Sequence, residues 1–282
     1  MMDKLVVGCG YLGERIARRW HQSDARVFVT TRSEETAERF RQQQWHPVLC
    51  DVTRPETLTD LPRVSTVVYC VGLDRSSGQS MHDVYVQGLQ NVLDHLPSPE
   101  RFLYVSSTGV YGQIGGEIVD ETSETEPIDD SGRTVLKAER SLHSRVEHAI
   151  VLRFAGIYGP DRLLRSDALQ KGEVITGVGE SWLNLIHVDD GAEAVLIAEE
   201  RATAGEIYNV SDDEPVRRQD FFGFLAEELG APEPQFTGTA SRRPTNRRIA
   251  NRRLREELSV SLRYPDYRVG IREVLKSKNG GD

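Results

Sequence analysis

The sequence predicts a doubly wound α/β fold, in which helices cover both faces of a parallel sheet and a small α/β lobe follows. Three observations carry this. An apolar run, Lys4-Leu5-Val6-Val7, leads into Gly8-Cys9-Gly10-Tyr11-Leu12-Gly13, and helical composition follows from Glu14 to Trp20. Strand-like and helix-like segments then alternate as far as Phe154, as parallel strands with crossover helices require. From about Asp161 the alternation gives way to shorter elements. The expected division is a nucleotide-binding domain over 1–160 and a substrate-binding lobe over 161–282, interleaved with the end of the sheet.

The glycine run is the organising stretch. Gly8 permits a tight turn, Gly10 lets backbone approach a pyrophosphate, and Gly13 lets the helix pack closely on the strand. The helix start, with Tyr11 and Leu12 in it, offers N–H groups and a positive dipole end to phosphate. This is the dinucleotide-binding pattern of the Rossmann type. The second strand, Arg26–Thr30, ends in Thr30-Thr31-Arg32-Ser33 with no acid to hold a ribose 2′-hydroxyl. Arg32 and Ser33 suit a 2′-phosphate instead, so NADP is expected ahead of NAD.

A helix over Ser33–Gln44, with Ser33 at its cap, and a strand over Pro47–Cys50 come next. Asp51 closes that strand, where an acid often meets adenine in this fold or else caps the turn before Pro55. The fourth strand, Thr66–Val71, ends at Gly72, which leaves room for the cofactor. Met81–Leu96 reads as a helix ended by Pro97 and Pro99. The fifth strand, Arg101–Ser106, runs into Ser107-Thr108-Gly109-Val110-Tyr111-Gly112, polar residues at the carboxyl end where open sheets bind ligands. The acidic stretch from Gly112 to Gly132 reads as a functional loop. A helix over Thr134–Val146 and a strand over His148–Phe154 complete the alternation. Beyond it, helices are expected over Leu163–Gln170, Asp189–Glu200, Gln219–Leu229 and Tyr267–Lys276. Extended runs are expected over Leu183–Val188 and Glu206–Val210.

Composition narrows the function. A net charge of −9 argues against wholesale nucleic-acid binding. No run approaches the ~20 apolar residues of a membrane span, and the amino terminus carries no leader-like pattern. Cys9, Cys50 and Cys70 show neither paired nor metal-ligand spacing, so they read as reduced thiols of a cytoplasmic protein without a metal site. Arginines crowd one late stretch (242, 243, 247, 248, 252, 253 and 255), as a solvated helix face or as a wall for an anionic substrate.

Six stretches in order resemble the extended short-chain dehydrogenase/reductase superfamily, of the NAD-dependent epimerase/dehydratase type. They are Gly8–Gly13, Val86–Leu93, Tyr104–Gly112, Arg153–Pro160, Asn184–Asp190 and Tyr208–Val210. The resemblance implies a cofactor-binding domain with a substrate lobe, often for nucleotide-linked sugars. It also implies a Ser or Thr after the fifth strand, matched by Ser107, and a Tyr-x-x-x-Lys helix. Lys137 matches the Lys, which holds ribose in the family, but Arg133 stands where the Tyr belongs. Arginine stays protonated and cannot serve as that acid or base. The chain therefore looks like the atypical subgroup that keeps the serine and lacks the tyrosine.

Three readings follow. In the first, another group is the proton donor: Tyr111, Lys137, or an acid among Asp120, Glu121 and Glu124. In the second, the chain binds NADP as a sensor without turnover. In the third, Arg133 holds an anionic substrate, with Thr108 and Asn184 as further substrate contacts. His187 reads as a core or hinge histidine, and Asp189 and Asp190 as helix caps. The family's pairing of helices makes a homodimer through Met81–Leu96 and Thr134–Val146 the expected assembly.

Overall fold

The computed structural model describes residues 2–239 and 246–279. Its first half runs β1 (Asp3–Val7), α1 (Gly13–Gln22), β2 (Arg26–Thr31), α2 (Glu34–Gln42), β3 (His46–Leu49), β4 (Thr66–Tyr69), α3 (Gly88–His95), β5 (Arg101–Ser107), β6 (Glu117–Val119), α4 (Asp130–His143) and β7 (Ile150–Phe154). The remainder runs β8 (Gly156–Tyr158), α5 (Ser166–Gln170), β9 (Trp182–Leu183), β10 (Leu185–His187), α6 (Val188–Arg201), β11 (Ile207–Val210), β12 (Val216–Arg217), α7 (Arg218–Leu229), β13 (Arg247–Ile249), α8 (Arg252–Glu256) and α9 (Tyr267–Asn279).

Seven strands pair in parallel in the order β3-β2-β1-β4-β5-β7-β11. The fold is the Rossmann-type α/β class. Helices cover both faces, so the middles of the strands are apolar, while polar residues such as Thr30, Ser106 and Arg153 gather toward the carboxyl ends. Val6 and Val68 face one layer, with Ile16, Ala17 and Trp20 of α1 and Ala194, Val195 and Ala198 of α6. Leu5, Val7 and Val67 face the other, with Leu89 and Val92 of α3 and Ala138 and Leu142 of α4. Strand order reverses between β1 and β4, and that reversal opens a crevice at the carboxyl ends of the strands.

The later elements build a separate core of Leu169, Ile175, Leu185, Phe221, Phe222, Leu225, Tyr267 and Ile271. Two short pairings tie it to the first domain: β8 with β10, and β6 with β13. The second pairing lies inside the stretch expected to be a loop. The arginine-rich segment resolves into separate tethers. Arg253 pairs with Glu206 and Glu257, Arg252 with Glu256 and Arg255 with Asp213, while Arg247 is buried. Arg242 and Arg243 lie outside the described residues.

Helix α4 starts at Asp130, earlier than the expected Thr134, with the Asp129 carboxylate accepting the Gly132 N–H at 3.0 Å. Gly132 reads as a loop residue in sequence. In the fold it is a packing requirement, because a Cβ there would lie 2.4 Å from the Gly109 carbonyl oxygen. The helix expected over Met81–Leu96 is present, with a widened turn over Asp83–Gln87 before α3.

Beneath the carboxyl end of the sheet lies a buried ion pair. Arg153 donates through Nε and Nη2 to both Glu139 oxygens, at 3.1 and 2.8 Å. Ser106 donates to the same carboxylate. Burial alone would lower the Arg153 pKa, but the bonds and charge of Glu139 reverse that and raise it. Deleting one partner strands a charge in an apolar layer. We expect Glu139→Ala to cost about 3–5 kcal/mol, read by urea denaturation.

Candidate functional site

Gly8 turns the chain with φ +86°, and a Cβ there would lie 2.6 Å from the Val71 Cα. A Cβ at Gly13 would meet Val6 Cγ1 at 2.9 Å, so α1 starts as close to β1 as side chains allow. A Cβ at Gly10 would have nothing within 4 Å and would face open space. The Thr30 hydroxyl accepts the Gly8 N–H at 2.8 Å and pins the turn to β2. Among the described residues the N–H groups of Tyr11 and Leu12 have no partner. A cradle of this shape, with free N–H groups at a helix start, fits a pyrophosphate.

The cradle lies in a cleft of about 680 Å³. At one end its wall holds Arg32, Asp51, Gly72, Asp74 and Gln79. Asp51 accepts from the N–H and hydroxyl of Thr53, at 2.9 and 2.8 Å. Ser33 caps α2 through the Thr36 N–H and is not part of the lining. Arg32 donates to Asp74 at 3.0 Å. Cys9, Cys50 and Cys70 all line the cleft. Burial raises the thiol pKa of each, to about 11 at Cys50 and about 12 at Cys70, so all three are neutral.

At the other end the lining holds Ser107, Val135, Ala155–Ile157 and Arg162. Ser107 Oγ accepts the Gly109 N–H at 3.1 Å, which leaves its own proton to donate. Arg162 lies over one side of the Tyr11 ring, and the Tyr11 hydroxyl donates to the Pro160 carbonyl. Thr108 is buried, and its carbonyl takes a 2.8 Å bond from Arg247. Burial lowers the Arg247 pKa, with Asp129 and Tyr111 as the nearest opposing influences. No carboxylate of the described residues pairs with this guanidinium.

Besides Ser33, and Thr108, which is buried in the turn outside the lining, four expected site residues are placed elsewhere. Lys137 is exposed on the outer side of α4, with Nζ 3.1 Å from His82 Nε2. Two helical positions separate it from Val135, a rotation of about 200° that puts the two on opposite sides. Arg133 is exposed beside Lys137 and pairs with Asp130 at 2.7 Å. Tyr111 is buried beneath the turn, donating to Asn209 at 2.8 Å and accepting from Arg153 at 3.0 Å. Burial raises its pKa, an effect that Arg153 opposes. Asn184 accepts the Ile249 N–H and donates to the Arg247 carbonyl, which splices β13 to the lobe. Motif spacing counted from Lys137 points away from the cleft, whereas the helix period puts Ser131 and Val135 on the inner side. Asp74, Gln79 and Arg162 carry no motif signal and enter the lining through loop geometry, and Tyr85 enters it from the widened helical turn before α3.

The model of the NAD dependent epimerase/dehydratase family matches residues 4–211. The chain belongs to that family. Protein YeeZ of Escherichia coli (strain K12) is 28% identical over 280 residues, covering 94% of this chain and 97% of YeeZ. A solved chain from Methylobacillus flagellatus, provisionally named an NAD-dependent epimerase/dehydratase, is 32% identical with a TM-score of 0.80, over 99% of both chains. The fold also matches UDP-glucose 4-epimerase of Thermotoga maritima, solved with UDP-glucose, at a TM-score of 0.82 and 18% identity, over 99% of this chain and 100% of that one. No helix among the described residues is long and apolar enough to cross a membrane.

His187 is buried, with Nδ1 accepting the Asp189 N–H at 3.2 Å. Burial lowers its pKa from the ordinary 6.5 to about 4, against the pull of Asp189. The imidazole is therefore neutral and structural at neutral pH. The unfolded chain takes up this proton first, so stability falls between pH 6.5 and about 4. We expect His187→Asn to remove up to about 3 kcal/mol of that acid-dependent loss, measured by urea denaturation across the window. A second prediction concerns the cradle. Gly8→Ala meets backbone and a left-handed φ, and should cost about 1–3 kcal/mol by the same method. Gly10→Ala should leave stability within about 1 kcal/mol and weaken NADPH binding, read by titration of nucleotide fluorescence.

Proposed function

We propose that this protein is an NAD(P)-dependent oxidoreductase, epimerase or dehydratase of the atypical short-chain dehydrogenase type. In this reading it prefers NADP and acts on a small anionic substrate, such as a nucleotide-linked sugar. The observation that carries it is the continuity of one cleft, from the Gly8–Gly13 cradle to Ser107 at the end of β5.

When bound, the nicotinamide of the cofactor supplies or accepts hydride. The chain's own part is binding, orientation and proton handling. Tyr11 and Leu12 N–H groups face the pyrophosphate, and Arg32 faces the 2′-phosphate. Ser107, with a lone pair committed to the Gly109 N–H, donates its proton to a substrate oxygen. Arg162, in the lining, favours an anion there, while Arg247 is buried outside the lining and holds the Thr108 carbonyl. Tyr111 is engaged on both sides and serves the fold rather than proton transfer.

One observation favours a second reading. Helix α4 turns Val135 toward the cleft, where the family's lysine would assist proton transfer. A protein that binds NADP and a ligand without turnover, as a sensor, would need no such group. NADPH consumption against a panel of carbonyl compounds and nucleotide sugars separates the two. The enzymatic reading expects turnover that falls about 100-fold or more in Ser107→Ala with NADPH affinity unchanged. Absence of turnover across the panel supports the sensor. Arg32→Ala should weaken NADPH about tenfold or more and leave NADH unaffected, because a charge-assisted bond to the phosphate is lost.

A further inference from the structure

Arg32 meets a phosphate with one of its donors already engaged. Its Nη2 lies 3.0 Å from Asp74 Oδ2, and both residues line the same end of the cleft. Asp74 follows β4, while Arg32 follows β2, so the pair spans the mouth between two strand ends. The carboxylate is held in place. Its Oδ1 accepts the Ser76 N–H at 3.0 Å and the Ser76 hydroxyl at 2.6 Å, and the Asp74 carbonyl accepts from the Ser77 hydroxyl at 2.7 Å. The Ser76 bonds, and then Arg32, lower the Asp74 pKa, so the group is charged at neutral pH. The loop is also anchored at both ends, where the Leu73 N–H reaches the Tyr85 hydroxyl and Gln79 reaches Thr53.

We infer that Asp74 sets cofactor selectivity by holding Arg32 in competition with the 2′-phosphate of NADP. This rests on the reading that Arg32 faces that phosphate. A dianion entering here either displaces the fixed carboxylate from Nη2 or shares the guanidinium with it, and in both cases sits near that carboxylate's charge. NAD brings no charge to this corner and leaves the pair intact. Asp74 therefore moderates a preference that Arg32 alone would make steep, and keeps NAD within reach of the site. Arg32 and Asp74 side chains are 48% and 43% exposed, so the effect is screened by salt and modest in size.

The test is a titration of NADPH and NADH fluorescence on the wild-type protein, Asp74→Asn and Arg32→Ala, at low and high KCl. Asp74→Asn should tighten NADPH about three- to tenfold and change NADH less than about twofold, with the gain shrinking as KCl rises. An unchanged ratio of NADPH to NADH affinity in Asp74→Asn overturns the inference. So does weaker NADPH binding, which would make Asp74 an organiser of Arg32 instead of its competitor. The Arg32→Ala arm keeps the two readings apart. Loss of NADPH affinity there, with no effect of Asp74→Asn, removes only the role of Asp74. No loss in Arg32→Ala removes the phosphate reading itself, and a gain in Asp74→Asn alongside it would mean that Asp74 acts without Arg32. Both positions are solvent-facing, so the variants should fold, and melting curves would confirm it.

Discussion

The architecture depends on one close approach, that of the start of α1 to the ends of β1 and β4. At Gly8 the chain turns through a conformation that side chains avoid, and the Val71 backbone fills the space where a Cβ would sit. At Gly13 the helix packs against Val6 with no room for a methyl. These contacts fix the direction of α1, so its free N–H groups point into the crevice where strand order reverses. Gly10, alone of the three, faces empty volume. Two of the glycines serve packing and one borders open space, and the division follows from what lies beside each.

The second half of the chain closes the other end of the crevice. β13 lies beside β6, Arg247 reaches from the lobe to the Thr108 carbonyl, and Asn184 bonds backbone on either side of Arg248. The turn bearing Ser107 is thus held from below by the Glu139–Arg153–Tyr111–Asn209 chain of bonds and from above by the lobe. A serine held on both sides is a fixed donor, which suits polarising a substrate oxygen. The buried thiols and Val135 make much of the remaining wall neutral, so the charged groups at the two ends stand out.

Sheet class, strand sequence and the glycine cradle were legible because each rests on local pattern: apolar runs, helical composition and residues with no side chain at the turn. Asp51, Gly72 and Ser107 were legible for a related reason, since carboxyl ends of strands line the crevice. The errors arose where geometry depends on rotation or on distant partners. Lys137 carried the motif's spacing but not its facing, because the rotation of α4 is set by tertiary packing such as Gly132 against the Gly109 carbonyl. Tyr111 was one of several candidate proton donors, and its enclosure by Arg153 and Asn209, far away in sequence, had no local signal. Asn184 has a polar side chain beside the lobe, and only the pairing of β13 consumes it. Asp74 lacked any signal, because its role depends on meeting Arg32 across 42 residues of chain.

The central claim is that the Gly8–Gly13 turn presents backbone N–H groups to a dinucleotide pyrophosphate. Amide hydrogen exchange with and without saturating NADPH tests it most directly. Slower exchange at Tyr11, Leu12 and the residues of the 72–79 loop is the result this account predicts. Exchange at Tyr11 and Leu12 that is unchanged by NADPH, or protection confined to the carboxyl-terminal lobe, would contradict it.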